Sequence, residues 1–215
     1  MNKKKQEKQY DQHVKGGFIL PIIINKKTKK SSVILAFDKY KKAWTLIGGG
    51  RESYDKTGED CVLRECTEES LGLFATRKNK NFKKLEKMGV EFKFIHTVDS
   101  IKKHYSYDFS YKKNGKIKTV LYPIFKDINL DRINSNYELF EKINDDHYSE
   151  ITNLGFFSVD SLYKLIRTGV LYDENNKKVP AGKFLIFLLN KLLFNDEFKR
   201  LSMYIDSMVQ YYDSK

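Results

Sequence analysis

The chain has 215 residues, 40 Lys and Arg against 28 Asp and Glu, a formal charge of +12, two Cys and three Pro. Its 40% hydrophobic and 14% aromatic content supports a buried core and excludes a wholly disordered chain. Two cysteines cannot build a disulfide framework or a Cys-rich zinc site, and no apolar run reaches the ~18 residues of a membrane-spanning helix.

Residues 1–12 read as a flexible basic tail leading into no signal-type apolar segment, and 13–215 as one domain. GGFILPIIINKK is apolar and β-branched, which predicts a buried strand closed by the lysine turn at 26–30. SSVILAFDKY is its hairpin partner, and WTLIGGG reads as one short strand ending in three glycines. From Asp55 to Leu71 the period becomes helical: Val62, Leu63, Cys66, Ser70 and Leu73 can face a core while acids take the other side. Thr57 is suited to the N-cap with Asp60 completing a capping box, and Gly72 is a stop signal. Strands are expected over 90–98, 104–111 and 118–125, the last two joined by the turn at Lys112–Gly115. The Asn- and Asp-rich stretch 126–148 reads as loop with some helix. LGFFSVDSLYKLI passes from strand to helix, capped by Ser158 or Asp160. Residues 181–212 carry apolar residues at spacings of three and four, predicting one or two amphipathic helices packed on the body. The sum is a mixed sheet with helices against it.

Charge is segregated along the chain. Four tracts, 1–10, 26–30, 77–87 and 102–118, carry +3, +4, +5 and +5, whereas 52–69 holds seven acids against Lys56 and Arg64 and is −5. Single basic runs are most simply solvated loops. The acidic run differs because its spacing is specific. Glu65, Glu68 and Glu69 sit at i, i+3 and i+4, within about 100° of arc on one helix face. Three crowded carboxylates repel one another without a counter-charge, and all-oxygen donors select hard divalent ions such as Mg²⁺ or Mn²⁺. The preceding glycines allow a backbone carbonyl to approach the same ion.

The segment GGGRESYDKTGEDCVLRECTEESLGL, residues 48–73, resembles the signature box of the Nudix hydrolases, G-x5-E-x7-R-E-U-x-E-E-x-G-U. Gly50 takes the first position and Arg64-Glu65-Cys66-Thr67-Glu68-Glu69 the core. Two positions depart: Lys56 replaces the first Glu, and Gly72 falls one residue late. Glu52 or Glu59 could substitute for the first in space.

The resemblance implies an α/β (α+β) fold, a Nudix-type mixed sheet sandwiched between helices, here with added C-terminal helices. It implies hydrolysis of a phosphoanhydride in a nucleoside-diphosphate-linked substrate. Glu65, Glu68 and Glu69 would hold Mg²⁺ or Mn²⁺ with the Gly49 carbonyl, and Arg64 would position a glutamate. A further acid, ligand or base, is expected in a loop ahead of a late strand. Glu150 is the choice there, with Glu138, Glu141, Asp145 and Asp146 as competitors.

Cys61 and Cys66 lie about 140° apart on the helix, which suits buried thiols and no shared metal. The four histidines show no close metal spacing, and Gly48-Gly49-Gly50 lacks the lysine of a P-loop. Trp44 and Tyr105 are the preferred base-stacking aromatics, though packing in the core or on the sheet is the commoner role for any one such residue. Lys80, Lys83, Lys84, Lys102 and Lys103 are the expected phosphate contacts. Basic tracts of this size suit a long polyanion, so capped RNA, cleaved to release methylated GDP in the cytoplasm (a host cytoplasm if the chain is viral), is the preferred substrate. The box also resembles that of poxvirus decapping enzymes. Small substrates (dinucleoside polyphosphates, diphosphoinositol polyphosphates, ADP-ribose, nucleotide sugars) and a non-catalytic RNA-binding module are the alternatives.

Overall fold

The computed structural model describes residues 14–25, 30–70, 74–75, 87, 96–97, 106–111, 115–124, 128–143, 150–194, 203, 207 and 210. The expected tail at 1–12 lies outside them. The strands are β1 (Val14–Ile24), β2 (Ser31–Asp38), β3 (Ala43–Thr45), β4 (Ile47–Gly50), β5 (Phe74–Ala75), β6 (His96–Thr97), β7 (Ser106–Tyr111), β8 (Gly115–Ile124), β9 (Ile151–Ser158), β10 (Leu171–Tyr172) and β11 (Lys178–Val179). The helices are α1 (Gly58–Glu69), α2 (Leu130–Ile143), α3 (Val159–Thr168) and α4 (Lys183–Phe194). Antiparallel ladders, the parallel pairing of β5 with β6 and packed helices make the class α+β, as expected. No described helix is long and apolar enough to cross a membrane.

The chain divides into two compact units, Met1–Leu20, Ile47–Tyr122 and Arg132–Ser149 in the first, and Pro21–Leu46, Pro123–Asp131 and Glu150–Lys215 in the second. In the first, the start of β1 pairs antiparallel with β4, from Gly16↔Gly50 to Ile19↔Ile47. β7 and β8 form the expected hairpin, from Ser106↔Val120 to Tyr111↔Gly115. Helix α1 lies so close to β1 that a Cβ on Gly17 would fall 2.6 Å from the Val62 nitrogen. Val62, Cys61 and Cys66 are fully buried beneath it with Ile19 and Ile47. In α2, the buried Tyr137 hydroxyl donates to the Glu69 carbonyl and fixes the end of α1.

In the second unit β2 pairs with the end of β1, with β3 and with β9. Four successive residues, Val33 to Ala36, are buried, so both faces of β2 are covered. Ser158 caps α3 by accepting from the Ser161 N–H, and Gly169 ends it at φ 72°.

One expectation needs correction. WTLIGGG is not one strand. It breaks at Leu46 into β3, which pairs with β2, and β4, which pairs with β1. The helix expected somewhere within 126–148 is the 14-residue α2, where Leu130, Ile133 and Tyr137 bury a face among the Asn and Asp residues. The hairpin of β10 and β11 was not expected at all.

Candidate functional site

The site is assembled within the first unit where β4 runs into α1. Three glycines shape it. Gly48 adopts φ 139°, a left-handed conformation that favours glycine, and a Cβ there would meet the Gly17 carbonyl oxygen at 2.3 Å. Gly49 has Glu65 packed on it: a Cβ would sit 2.7 Å from Glu65 Oε1 and 2.8 Å from Oε2. Gly50 has open space on that side and turns its carbonyl to Arg64.

Helix α1 begins at a complete capping box. The Thr57 hydroxyl accepts from the Asp60 N–H at 3.0 Å and the Asp60 carboxylate accepts from the Thr57 N–H at 3.1 Å. This start sets the rotation of the helix and hence the face on which Arg64, Glu65, Glu68 and Glu69 emerge. The helix ends at Ser70 in a right-handed conformation, two residues before Gly72, which lies outside the described residues.

Arg64 is the hub. Its Nη1 contacts Glu65 Oε1 at 2.8 Å and Glu68 Oε2 at 3.0 Å. Its Nη2 donates to the Gly50 carbonyl at 2.7 Å and to Asp55 Oδ2 at 3.0 Å, and its Nε faces both Asp55 oxygens at 3.2 and 3.3 Å. Burial on its own would lower the guanidinium's pKa. The Asp55 hydrogen bonds, then Glu65 and Glu68, outweigh burial and hold the guanidinium charged above its ordinary value. Glu65 is 8% exposed, and burial pushes its carboxyl up to about 7; Arg64 opposes the rise while Glu68 and Asp55 add to it. Glu69 takes a separate anchor, its Oε2 accepting from the Gly48 N–H at 2.5 Å. Each glycine thus receives one arm: Gly48 takes Glu69, Gly49 takes Glu65, and Gly50 takes the arginine that holds Glu68.

Among the described residues no group of three or more His, Cys, Asp or Glu side chains closes on a single ion position. The donor set nonetheless fits a hard divalent ion in kind: three carboxylates, one of them seated where a Cβ is missing. In this arrangement Arg64 occupies the charge of Glu65 and Glu68.

The expected residues Arg64, Glu65, Glu68, Glu69 and Gly49 are brought together. The Gly49 carbonyl faces the Cys61 thiol, with oxygen and sulfur 3.8 Å apart, so the visible contribution of Gly49 is room for Glu65. Both cysteines are free and buried, as expected, and burial pushes Cys61 up to about 12. Glu150 belongs to the second unit, exposed at a bend just before β9, where its carbonyl accepts from the Lys39 N–H at 2.9 Å. Of its competitors, Glu138 is exposed on α2 and Glu141 lies on the same helix, while Asp145 and Asp146 lie outside the described residues. Trp44, also in the second unit, packs edge-on against Phe37 and Phe157 at 5.4 and 4.9 Å, in a space left by Gly155. Lys80, Lys83, Lys84, Lys102, Lys103 and Tyr105 lie outside the described residues.

Near Lys56, the carboxylate that pairs with Arg64 is that of Asp55. Glu59 is engaged by Lys118 from β8; burial raises the Glu59 pKa, but Lys118 together with backbone and Thr57 hydrogen bonds outweighs burial and leaves it lowered. Asp55, 5% exposed, is the carboxylate on Arg64, one residue ahead of the expected position. Sequence reasoning also passed over Tyr54, 66% exposed with its ring centroid 5.7 Å from Arg64 Cζ, and Arg51, described below.

No family model and no curated protein matches the sequence. Solved structures do resemble the fold. An Ap4A hydrolase from C. elegans in a binary complex is 14% identical over 83% of this chain and 95% of its own, with a TM-score of 0.41. The NUDIX domain of Shewanella oneidensis NrtR, complexed with ADP ribose, is 11% identical over 89% and 96%, with a TM-score of 0.40. A MutT/nudix family protein from Enterococcus faecalis is 15% identical over 92% and 71%, with a TM-score of 0.40. At these identities and scores the likeness decides neither family nor activity, and the site has to carry the functional reading.

Proposed function

We propose that the chain is a Nudix-type, metal-dependent hydrolase that cleaves a phosphoanhydride bond in a nucleoside-diphosphate-linked substrate, with capped RNA as the preferred substrate. The observation that carries this reading is the Arg64 hub: one arginine holding Glu65 and Glu68 over a strand end whose glycines also seat Glu69. Glu65, Glu68 and Glu69 would hold Mg²⁺ or Mn²⁺, with the Gly49 carbonyl as a further donor; Glu150 is a donor expected from the sequence alone. The ion, when bound, supplies neutralisation of phosphate charge and a more acidic water. The protein's own part is orientation: Arg64 fixes two acids at one nitrogen, and Gly48 fixes the third. Asp55 holds the guanidinium in place. The four basic tracts support a long polyanionic substrate, with Lys80, Lys83, Lys84, Lys102 and Lys103 as its phosphate contacts and Tyr105 or Trp44 as stacking residues.

The test is incubation with Mn²⁺ or Mg²⁺ and cap-labelled RNA beside a panel of small diphosphates. Release of methylated GDP that Glu68→Gln and Glu69→Gln each reduce by at least about 100-fold supports decapping. Turnover of small dinucleotides with capped RNA untouched would sink the RNA reading and keep the hydrolase. RNA binding without hydrolysis of any substrate would leave a binding module. Glu150→Gln at wild-type turnover removes Glu150 from the mechanism.

A further inference from the structure

Asp55 and Arg51 stand outside the acid triplet, yet both are fully committed to it. The loop from Arg51 to Thr57 is not held by a hydrophobic anchor. It is held by the Arg51 fork, whose Nε and Nη2 donate to the Asp55 carbonyl at 3.1 and 2.9 Å. Nη2 also reaches the Lys56 carbonyl at 3.0 Å, and Nη1 the Val14 carbonyl on β1 at 3.4 Å. The Arg51 N–H itself donates to the Lys15 carbonyl at 3.0 Å, so the base of the fork is tied to the sheet. With two consecutive carbonyls turned toward Arg51, the side chain of residue 55 goes inward and that of residue 56 goes out. Asp55 is buried and Lys56 is exposed. Asp55 then closes the loop on itself, Oδ2 accepting from the Glu52 N–H at 2.9 Å and the Asp55 N–H donating to the Glu52 carbonyl at 3.1 Å. Its remaining acceptor capacity goes to Arg64.

We infer that Asp55 is the positioning residue of the acid cluster, set inward by the Arg51 fork, and that this pair replaces the carboxylate absent at Lys56. The inference rests on the hydrolase reading for its purpose, but its physical content is a two-arginine chain. Arg51 holds the backbone of residues 55 and 56. The Asp55 side chain holds Arg64. Arg64 holds Glu65 and Glu68. Removing the Asp55 charge takes away the guanidinium's anchor on the loop and leaves more of its charge to Glu65 and Glu68, which it already contacts, so that it competes more strongly with a cation for them. Lysine at 51 cannot fork across three carbonyls, because an ammonium is a compact point charge and lacks the planar donor array.

Four full-length proteins decide it: wild type, Asp55→Asn, Arg51→Lys and Lys56→Ala. Two readouts are taken, Mn²⁺ affinity by calorimetry and, in chelator, the hydrogen-exchange protection of the Arg64 side-chain Nε–H by NMR. Asp55→Asn and Arg51→Lys are expected to weaken Mn²⁺ binding by about tenfold or more, as loss of outer-shell partners does elsewhere, and to lose the Nε–H protection. Lys56→Ala is expected to match wild type in both. Asp55→Asn that is folded, binds Mn²⁺ within twofold of wild type and keeps the protection overturns the inference and leaves the hydrolase reading standing. Should Asp55→Asn fail to fold, Arg51→Lys decides on the same two readouts. A wild-type chain that binds no divalent ion overturns the hydrolase reading and with it the purpose assigned to Asp55.

Discussion

Gly49 contributes by what it lacks. An alanine Cβ would lie 2.7 Å from Glu65 Oε1, well inside contact distance, and the carboxylate would have to move away from the strand. The backbone at Gly49 needs no left-handed conformation, so Gly49→Ala is expected to fold. It should weaken Mn²⁺ binding about tenfold and lower turnover correspondingly. Gly50→Ala meets no atom within 4 Å and is expected to bind Mn²⁺ as wild type does, measured side by side by calorimetry. Equal affinities for the two variants would mean that Glu65 does not depend on its seat. Glu65, Glu68 and Glu69 were legible as a face because helix geometry converts spacing into direction. Asp55 was not. The box pointed to position 56, and only the Arg51 hydrogen bonds, which no spacing rule encodes, turn residue 55 inward.

At the scale of elements, α1 was read closely because its signals are local. Thr57 and Asp60 form the box their sequence suggests, and the buried positions follow the helical period. Thr57→Ala removes an acceptor from the Asp60 N–H and is expected to cost about 1 kcal/mol, with Thr57→Ser near wild type, read from urea unfolding. An Ala variant as stable as wild type would show that packing on Gly17 and Gly49 alone sets the helix start. Elements whose signals are not local were missed. The break at Leu46 depends on two partner strands claiming adjacent residues, which the run WTLIGGG does not reveal. By contrast, α2 does carry a local signal, Leu130, Ile133, Tyr137, Phe140 and Ile143 recurring at spacings of three and four among Asn and Asp residues, and its buried Tyr137 hydroxyl meets the end of α1. The hairpin of β10 and β11 has strands of two residues each, and its polar turn is organised by Asp173 Oδ1 accepting from the N–H groups of Asn175 and Lys177.

For the molecule as a whole, the net charge of +12 conceals two uses of lysine. Lys118, counted in the basic tract at 102–118, is spent internally: it pairs with Glu59 at the start of α1 and is therefore a poor phosphate contact. The tract at 77–87 carries five charges in excess, and its lysines Lys80, Lys83 and Lys84 are the sharper test of an RNA-binding role. If they contact phosphates, replacing all three by Gln should weaken RNA binding and flatten the plot of log affinity against log salt by about 2, since each single-strand phosphate contact contributes about 0.7 to the slope. Lys118→Gln should leave that slope near wild type and instead lower stability, because it strands the half-buried Glu59 carboxylate. Measured by fluorescence anisotropy across a salt series, an unchanged slope in the triple variant would remove the 77–87 tract from RNA binding. A flattened slope combined with normal hydrolysis of a small diphosphate would separate the two functions physically. Lysines would then gather the polyanion, and the acids held by Arg64 would cut it.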